Sequence, residues 1–183
     1  MEIEIHTPRL LLKTYTRDDI PELLPLIGAR EVAATTLRIP HPYSQKDAED
    51  LILHAHDSDG VRLAVRLKES SAFVGGVGLR LELDHHRAEL GYWIGVPYWG
   101  NGYATEAARA LLQYGFDELK LNRIYASHVP NNPASGKILL KLGMKPEGYL
   151  RGHILKWGEY QDLVLYGMVK EPHDGEELPS PSL

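Results

Sequence analysis

The run VPYWGNGYATEAARALLQYG, Val96 to Gly115, constrains this chain more than any other. An apolar segment leads into it. Gly100, Gly102 and Ala104 then stand two apart, and a helix-forming stretch follows at once. The first four N–H groups of a helix have no partner inside it. They face one volume, where the helix dipole adds partial positive charge. Glycine at the entrance lets a ligand approach bare backbone. The pattern predicts an anion site for phosphate or pyrophosphate at the mouth of a helix. A tight strand-to-helix turn is the plainer alternative. Two nucleotide loops are excluded. The chain holds no G-x-x-x-x-G-K-[ST] run, and G-x-G-x-A after a late strand is not the dinucleotide fingerprint.

Around this loop the apolar period alternates between strand and helix. TPRLLLKTYT is expected to be a strand. TRDDIPELLPLIG is expected to be a helix, with Thr16 and Asp19 at capping-box spacing and Gly28 as its stop. Ser44 and Asp47 repeat that spacing before Ala48, Leu51, Ile52 and Ala55. The link from Ala29 to Tyr43 is expected to be irregular, and such links often carry function. Three strands are expected between Val61 and Val96, with turns at Glu69–Ser71 and Leu83–His86. NRIYASHV should be a strand and NPASGKILLKLG a short helix closed by Gly143. Two strands, around GYLRGHIL and QDLVLYGMV, end the pattern. The order gives an α+β layered domain over residues 1–170, with a mixed sheet of about seven strands and about four helices. Residues 171–183, polar and proline-bearing, are expected to be a disordered tail.

The totals narrow the setting. The chain has 183 residues and no cysteine, which excludes disulfides, thiolate metal sites and a cysteine nucleophile. No apolar run approaches the roughly 18–20 residues of a membrane span, and MEIEIHTPRL lacks the order of a signal peptide. A cytoplasmic protein is expected. The net charge of −5 and pI near 6.0 argue against nucleic acid and weakly favour a cationic partner. His54 and His56, two apart on a helix, point to different faces. His85 and His86 sit at a turn, so no metal is expected.

Taken together, HRAELGYWIG, YWGNGYATEA, NRIYA and NNPASGKILLKLGM resemble the GCN5-related N-acetyltransferases (GNAT), in particular the RimJ/RimL-like branch that acetylates ribosomal-protein N-termini. The likeness covers about Thr7 to Lys170. It implies the GNAT fold, mostly antiparallel and splayed between the fourth and fifth strands, and acetyl-CoA as cosubstrate without a metal. Trp99, Gly100, Asn101, Gly102, Tyr103, Ala104 and Thr105 would form the pyrophosphate loop, with Trp99 where the family usually has Gln or Arg. Asn132 and Ser135 match a pair that meets the pantetheine arm, although Asn132 before Pro133 is also a plain helix cap. Trp93, Ile94 and Val96 would offer backbone to that arm along the opened strand edge.

The implied reaction moves acetyl from a thioester to an amine in a ternary complex. Glu89 is the candidate base. The alternative for it is a pairing with Arg87 or a neighbouring strand. The tyrosine that many relatives use as acid is replaced by Leu139, which leaves Ser135 by analogy, or Tyr98, Tyr160 or Tyr166. A thiol of pKa about 8.5 can leave without an acid. An α-amine (pKa about 7.7–8.0) needs far less help at pH 7 than a lysine (about 10.4), so a peptide α-amine is the expected acceptor. A small-molecule amine (polyamine, amino acid or antibiotic) and a non-catalytic acyl-CoA sensor are the alternatives. His128 is a further candidate for contact with substrate. Tyr43, Tyr92, Trp93, Tyr98, Trp99 and Trp157 could wall a cleft. Lys137 and Lys141 could attract a 3′-phosphate. Oligomeric state is open, although this fold often forms homodimers.

Overall fold

The computed structural model describes residues 2–55, 57 and 59–170, so His56 and the stretch 171–183 lie outside the described residues. Eight strands form one sheet in the order β1-β2-β3-β4-β5-β6-β8-β7. They are β1 (Glu4–His6), β2 (Leu10–Thr14), β3 (Gly60–Leu67), β4 (Phe73–Glu82), β5 (Arg87–Ile94), β6 (Arg123–His128), β7 (Lys145–Lys156) and β8 (Glu159–Val169). The five α-helices are α1 (Ile20–Ile27), α2 (Arg30–Thr35), α3 (Gln45–His54), α4 (Tyr103–Asp117) and α5 (Pro133–Lys141).

Two elements exceed the expected count. β1 is three residues long, and α2 lies in the link expected to be irregular. Both are too short to show a period in sequence. The other segments form where the patterns place them, and two of the helical starts show the caps that the spacing predicts. The Thr16 N–H donates to Asp19 Oδ2 at 2.7 Å, and Ser44 and Asp47 close a complete capping box on α3.

Helices cover both faces of the sheet. On one face, Ala107, Ala108, Leu111 and Leu112 of α4 pack with Leu12, Leu63, Leu79, Leu90 and Ile124. On the other, Leu23 and Ile27 of α1 pack with Ala48 and Ile52 of α3 against Ala64 and Phe73. The alternation of β5 divides its side chains between the two layers. Leu90 and Tyr92 join the α4 layer, whereas Trp93 joins the α1/α3 layer.

The site depends on where pairing stops. β4 and β5 are antiparallel from Gly75↔Ile94 to Glu82↔Arg87. β5 and β6 are parallel, and they pair only at Arg87↔Arg123, Ala88↔Ile124 and Glu89↔Tyr125. Beyond Glu89 the two strands part, which is the expected splay. At the far end, the β7–β8 hairpin reaches back to α2. Lys156 Nζ donates to the carbonyls of Ala33 and Thr36, and Trp157 lies under the Arg30 guanidinium.

Candidate functional site

The chain leaves β5 through a 3₁₀ turn at Val96–Tyr98 and enters α4 through two glycines in the left-handed region, Gly100 at φ +80° and Gly102 at φ +78°. Any other residue would be strained there. The glycines therefore set the path of the loop. Among the described residues, the main-chain N–H groups of Gly100, Asn101, Gly102, Tyr103, Ala104 and Thr105 make no hydrogen bond, and the first helical bond is from Glu106 N–H to Gly102 O at 3.1 Å. Six consecutive donors at a helix mouth form a concave anion site.

Side chains hold the loop from outside. The Trp99 indole N–H donates to Ile94 O at 2.6 Å, and Asn101 Nδ2 donates to Tyr98 O at 3.1 Å. Glu106 accepts from the Thr7 hydroxyl (2.7 Å), the Arg9 amide (2.8 Å) and Arg9 Nε (2.7 Å), and Arg9 Nη1 donates to Asn101 O. The Arg9 guanidinium lies 4.8 Å from the centre of the Tyr103 ring. Burial raises the Glu106 pKa, but those three donors outweigh it and hold the carboxyl below the ordinary range.

A cavity of about 670 Å³ runs from this loop, through the parted strands, to Glu89. Trp93, Ile94, Trp99, Gly100, Gly102, Tyr103, Ala104 and Thr105 line it, as do Asn132, Ser135 and His128. Val96 is not brought to it, because the 3₁₀ turn carries it aside and its carbonyl accepts from the Trp99 N–H. The Asn101 side chain faces the loop's own carbonyls.

Across the parted strands, α5 contributes its first turn. Asn132 Oδ1 accepts from the Ser135 N–H at 3.3 Å, and its Nδ2 donates to Thr35 O at 3.0 Å, tying α5 to α2. The cap suspected in sequence is present, and the same side chain lines the cavity. Ser135 Oγ lies 2.8 Å from the Tyr92 hydroxyl, so one hydrogen bond spans the gap from β5 to α5. Burial pushes the Tyr92 phenol up to about 12, against the Ser135 hydrogen bond, which lowers it. Leu139 is fully buried on α5. Tyr98 lines the cavity, whereas Tyr160 is 76% exposed. Tyr166 and His128 have rings 5.6 Å apart beneath Gly136, where a Cβ would come within 2.7 Å of His128 Nε2.

Glu89 is buried at the point where the strands part. Its Oε2 accepts from Arg38 Nη2 (2.7 Å), Arg80 Nη2 (2.7 Å) and Arg80 Nε (3.2 Å), while Oε1 makes no hydrogen bond among the described residues. The pairing with a neighbouring strand is therefore real: Arg80 is its direct cross-strand partner on β4. Arg87 pairs instead with Glu82. Arg38, Arg80, Tyr92 and Arg9 were not singled out in sequence as partners. Their signal is register and long-range packing, which no local motif carries. Among the described residues no group of three or more His, Cys, Asp or Glu is placed to hold a metal, and no helix is long and apolar enough to cross a membrane.

Residues 9–145 match the family model described as an acetyltransferase (GNAT) domain. The uncharacterized N-acetyltransferase YoaA of Bacillus subtilis is 37% identical over 171 residues, covering 91% of this chain and 96% of the relative. The [ribosomal protein uS5]-alanine N-acetyltransferase of Escherichia coli is 38% identical over 84 residues, 46% of this chain and 43% of the relative. The spermidine N-acetyltransferase of Vibrio cholerae, solved with CoA and spermine, superposes with a TM-score of 0.79 at 25% identity, covering 89% of this chain and 96% of that one. The chain belongs to the acetyltransferase (GNAT) family, and it is an N-acetyltransferase.

Proposed function

We propose that residues 1–170 form one domain that transfers acetyl from acetyl-CoA to the α-amine of a peptide or protein in the cytoplasm, by direct attack in a ternary complex. One observation carries this reading. Six free main-chain donors open one end of a cavity whose other end holds a carboxylate, with parted strands between them. Bound acetyl-CoA supplies the activated acetyl thioester.

The residues fit that group. The amides of Gly100–Thr105 hold its diphosphate, which needs anion donors and no metal. Trp93, Ile94, Asn132 and Ser135 flank the arm between the strands. Glu89 Oε1, the oxygen left free by the two arginines, receives the proton from the amine directly or through water. An α-amine suits so anchored a base, because at pH 7 it needs only about one pKa unit of help. The Ser135 hydroxyl, hydrogen-bonded to Tyr92, stands at the helix mouth beside the arm and can return a proton to the sulfur. Leu139 offers no such proton.

Thiol release on a peptide series tests the assignment. Rates on α-amines should rise as pH passes through about 7.7–8.0, the range in which the amine loses its proton. Peptides with a blocked N-terminus and a free lysine should release no thiol above background. Turnover confined to lysine would overturn the reading.

A further inference from the structure

A second cavity, of about 390 Å³, adjoins the first. The two share Leu37, Arg38, Arg80, Glu89 and Ser127, so both reach the carboxylate proposed as the base. Its charged lining does not follow the acidic balance of the whole chain. Arg38, Arg80, Arg87 and Arg123 face it, and Glu89 is its sole carboxylate among the described residues. Behind the lining, Glu82 takes Arg87 and Glu147 takes Arg123. Among the described residues, Arg38 and Arg80 share Glu89 alone. Four guanidinium groups therefore meet three carboxylates.

The excess has free donors to act through. Arg80 and Arg87 each spend Nε and Nη2 on their carboxylate, and Arg38 spends only Nη2. Among the described residues, Nη1 of all three and Nε of Arg38 make no hydrogen bond. The Arg38 and Arg80 side chains are more than half exposed, so they can meet a solute without first being dug out. Guanidinium edges of this kind select planar anions such as carboxylates. A polycation entering here would meet like charge.

We infer that the acceptor carries a carboxylate close to its reactive amine, as in a peptide whose second or third residue is acidic, and that polyamines are excluded. The inference rests on the acetyl-transfer reading and names its acceptor class. Charge complementarity acts on entry and on misplaced partners alike.

Matched pairs test it on the unaltered enzyme. One arm compares N-terminal peptides differing only at the second residue, Asp or Lys. The other compares glycine with spermidine. The expected result is a kcat/KM at least roughly tenfold higher for the anionic member in whichever arm turns over, shrinking as salt screens the charges. Arg87→Glu should abolish or reverse that preference. A cationic member that equals or beats its anionic match overturns the inference and leaves acetyl transfer standing. Thiol release with none of the four acceptors, from protein that binds acetyl-CoA, would overturn the inferred acceptor class, whereas turnover confined to lysine side chains would overturn the α-amine reading beneath it.

Discussion

The loop at Gly100–Thr105 and the cluster around Glu89 stand at opposite ends of one cavity, and they are built differently. The loop is contiguous: six residues, two of them glycines with positive φ, present main-chain amides. The cluster draws Arg38 from the α2–α3 link, Arg80 from β4 and Glu89 from β5, and it works through side chains. A main-chain site depends on backbone conformation and tolerates changes of side chain, except where that conformation needs glycine. A side-chain site depends on strand register and on each partner in turn. This contrast predicts where substitutions should reduce binding and where they should slow turnover.

The largest effect should follow Gly102→Val. A β-branched residue at φ +78° forces the loop to re-form. Losing even two hydrogen bonds to a charged diphosphate should weaken acetyl-CoA binding by roughly a hundredfold or more, measured by calorimetry. Near-normal affinity would mean that the amides are not the site. Glu89→Gln should do the reverse. It should cost about a hundredfold in kcat at nearly unchanged acetyl-CoA affinity, with a melting curve to show that the fold survives. Equal losses in affinity and rate would make Glu89 a scaffold residue.

A third effect falls on stability. Glu106→Ala leaves the Thr7 and Arg9 donors unmatched at the base of the loop and should cost about 2 kcal/mol in denaturant unfolding. The same carboxyl sets an acid limit. Its folded pKa is depressed, so its contribution is complete above the unfolded value near 4.3 and is lost as pH falls through the folded value. The wild type should therefore lose stability relative to Glu106→Ala only below about pH 4.3. The smallest effect is expected for Tyr92→Phe. Loss of the bond to Ser135 should cost about 1 kcal/mol, in stability or as a few-fold fall in kcat.

The contrast also explains what the sequence could reveal. The glycine loop, both capping boxes and the α4 stripe are local patterns, and all are present in the structure. The splay was implied by the family resemblance. It becomes geometry at Glu89↔Tyr125, the last rung between β5 and β6. The arginines around Glu89 lie 9 and 51 residues away along the chain, and only register and packing bring them together. The arginine nearest to Glu89 in sequence, Arg87, pairs with Glu82. For the same reason the net charge of −5 pointed to a cationic partner, whereas the cavity beside Glu89 is lined with arginine. Helix α2 is not legible in the sequence, because six residues are too few to show a period.

The central claim is that the amides of Gly100–Thr105 grip the diphosphate of the acyl carrier. Calorimetry comparing acetyl-CoA with S-acetylpantetheine, which keeps the thioester arm and lacks the diphosphate, tests it most directly. Acetyl-CoA should bind at least roughly a hundredfold more tightly, and Gly102→Val should erase most of the gap. Equal affinity for the two compounds in the wild-type protein would contradict it.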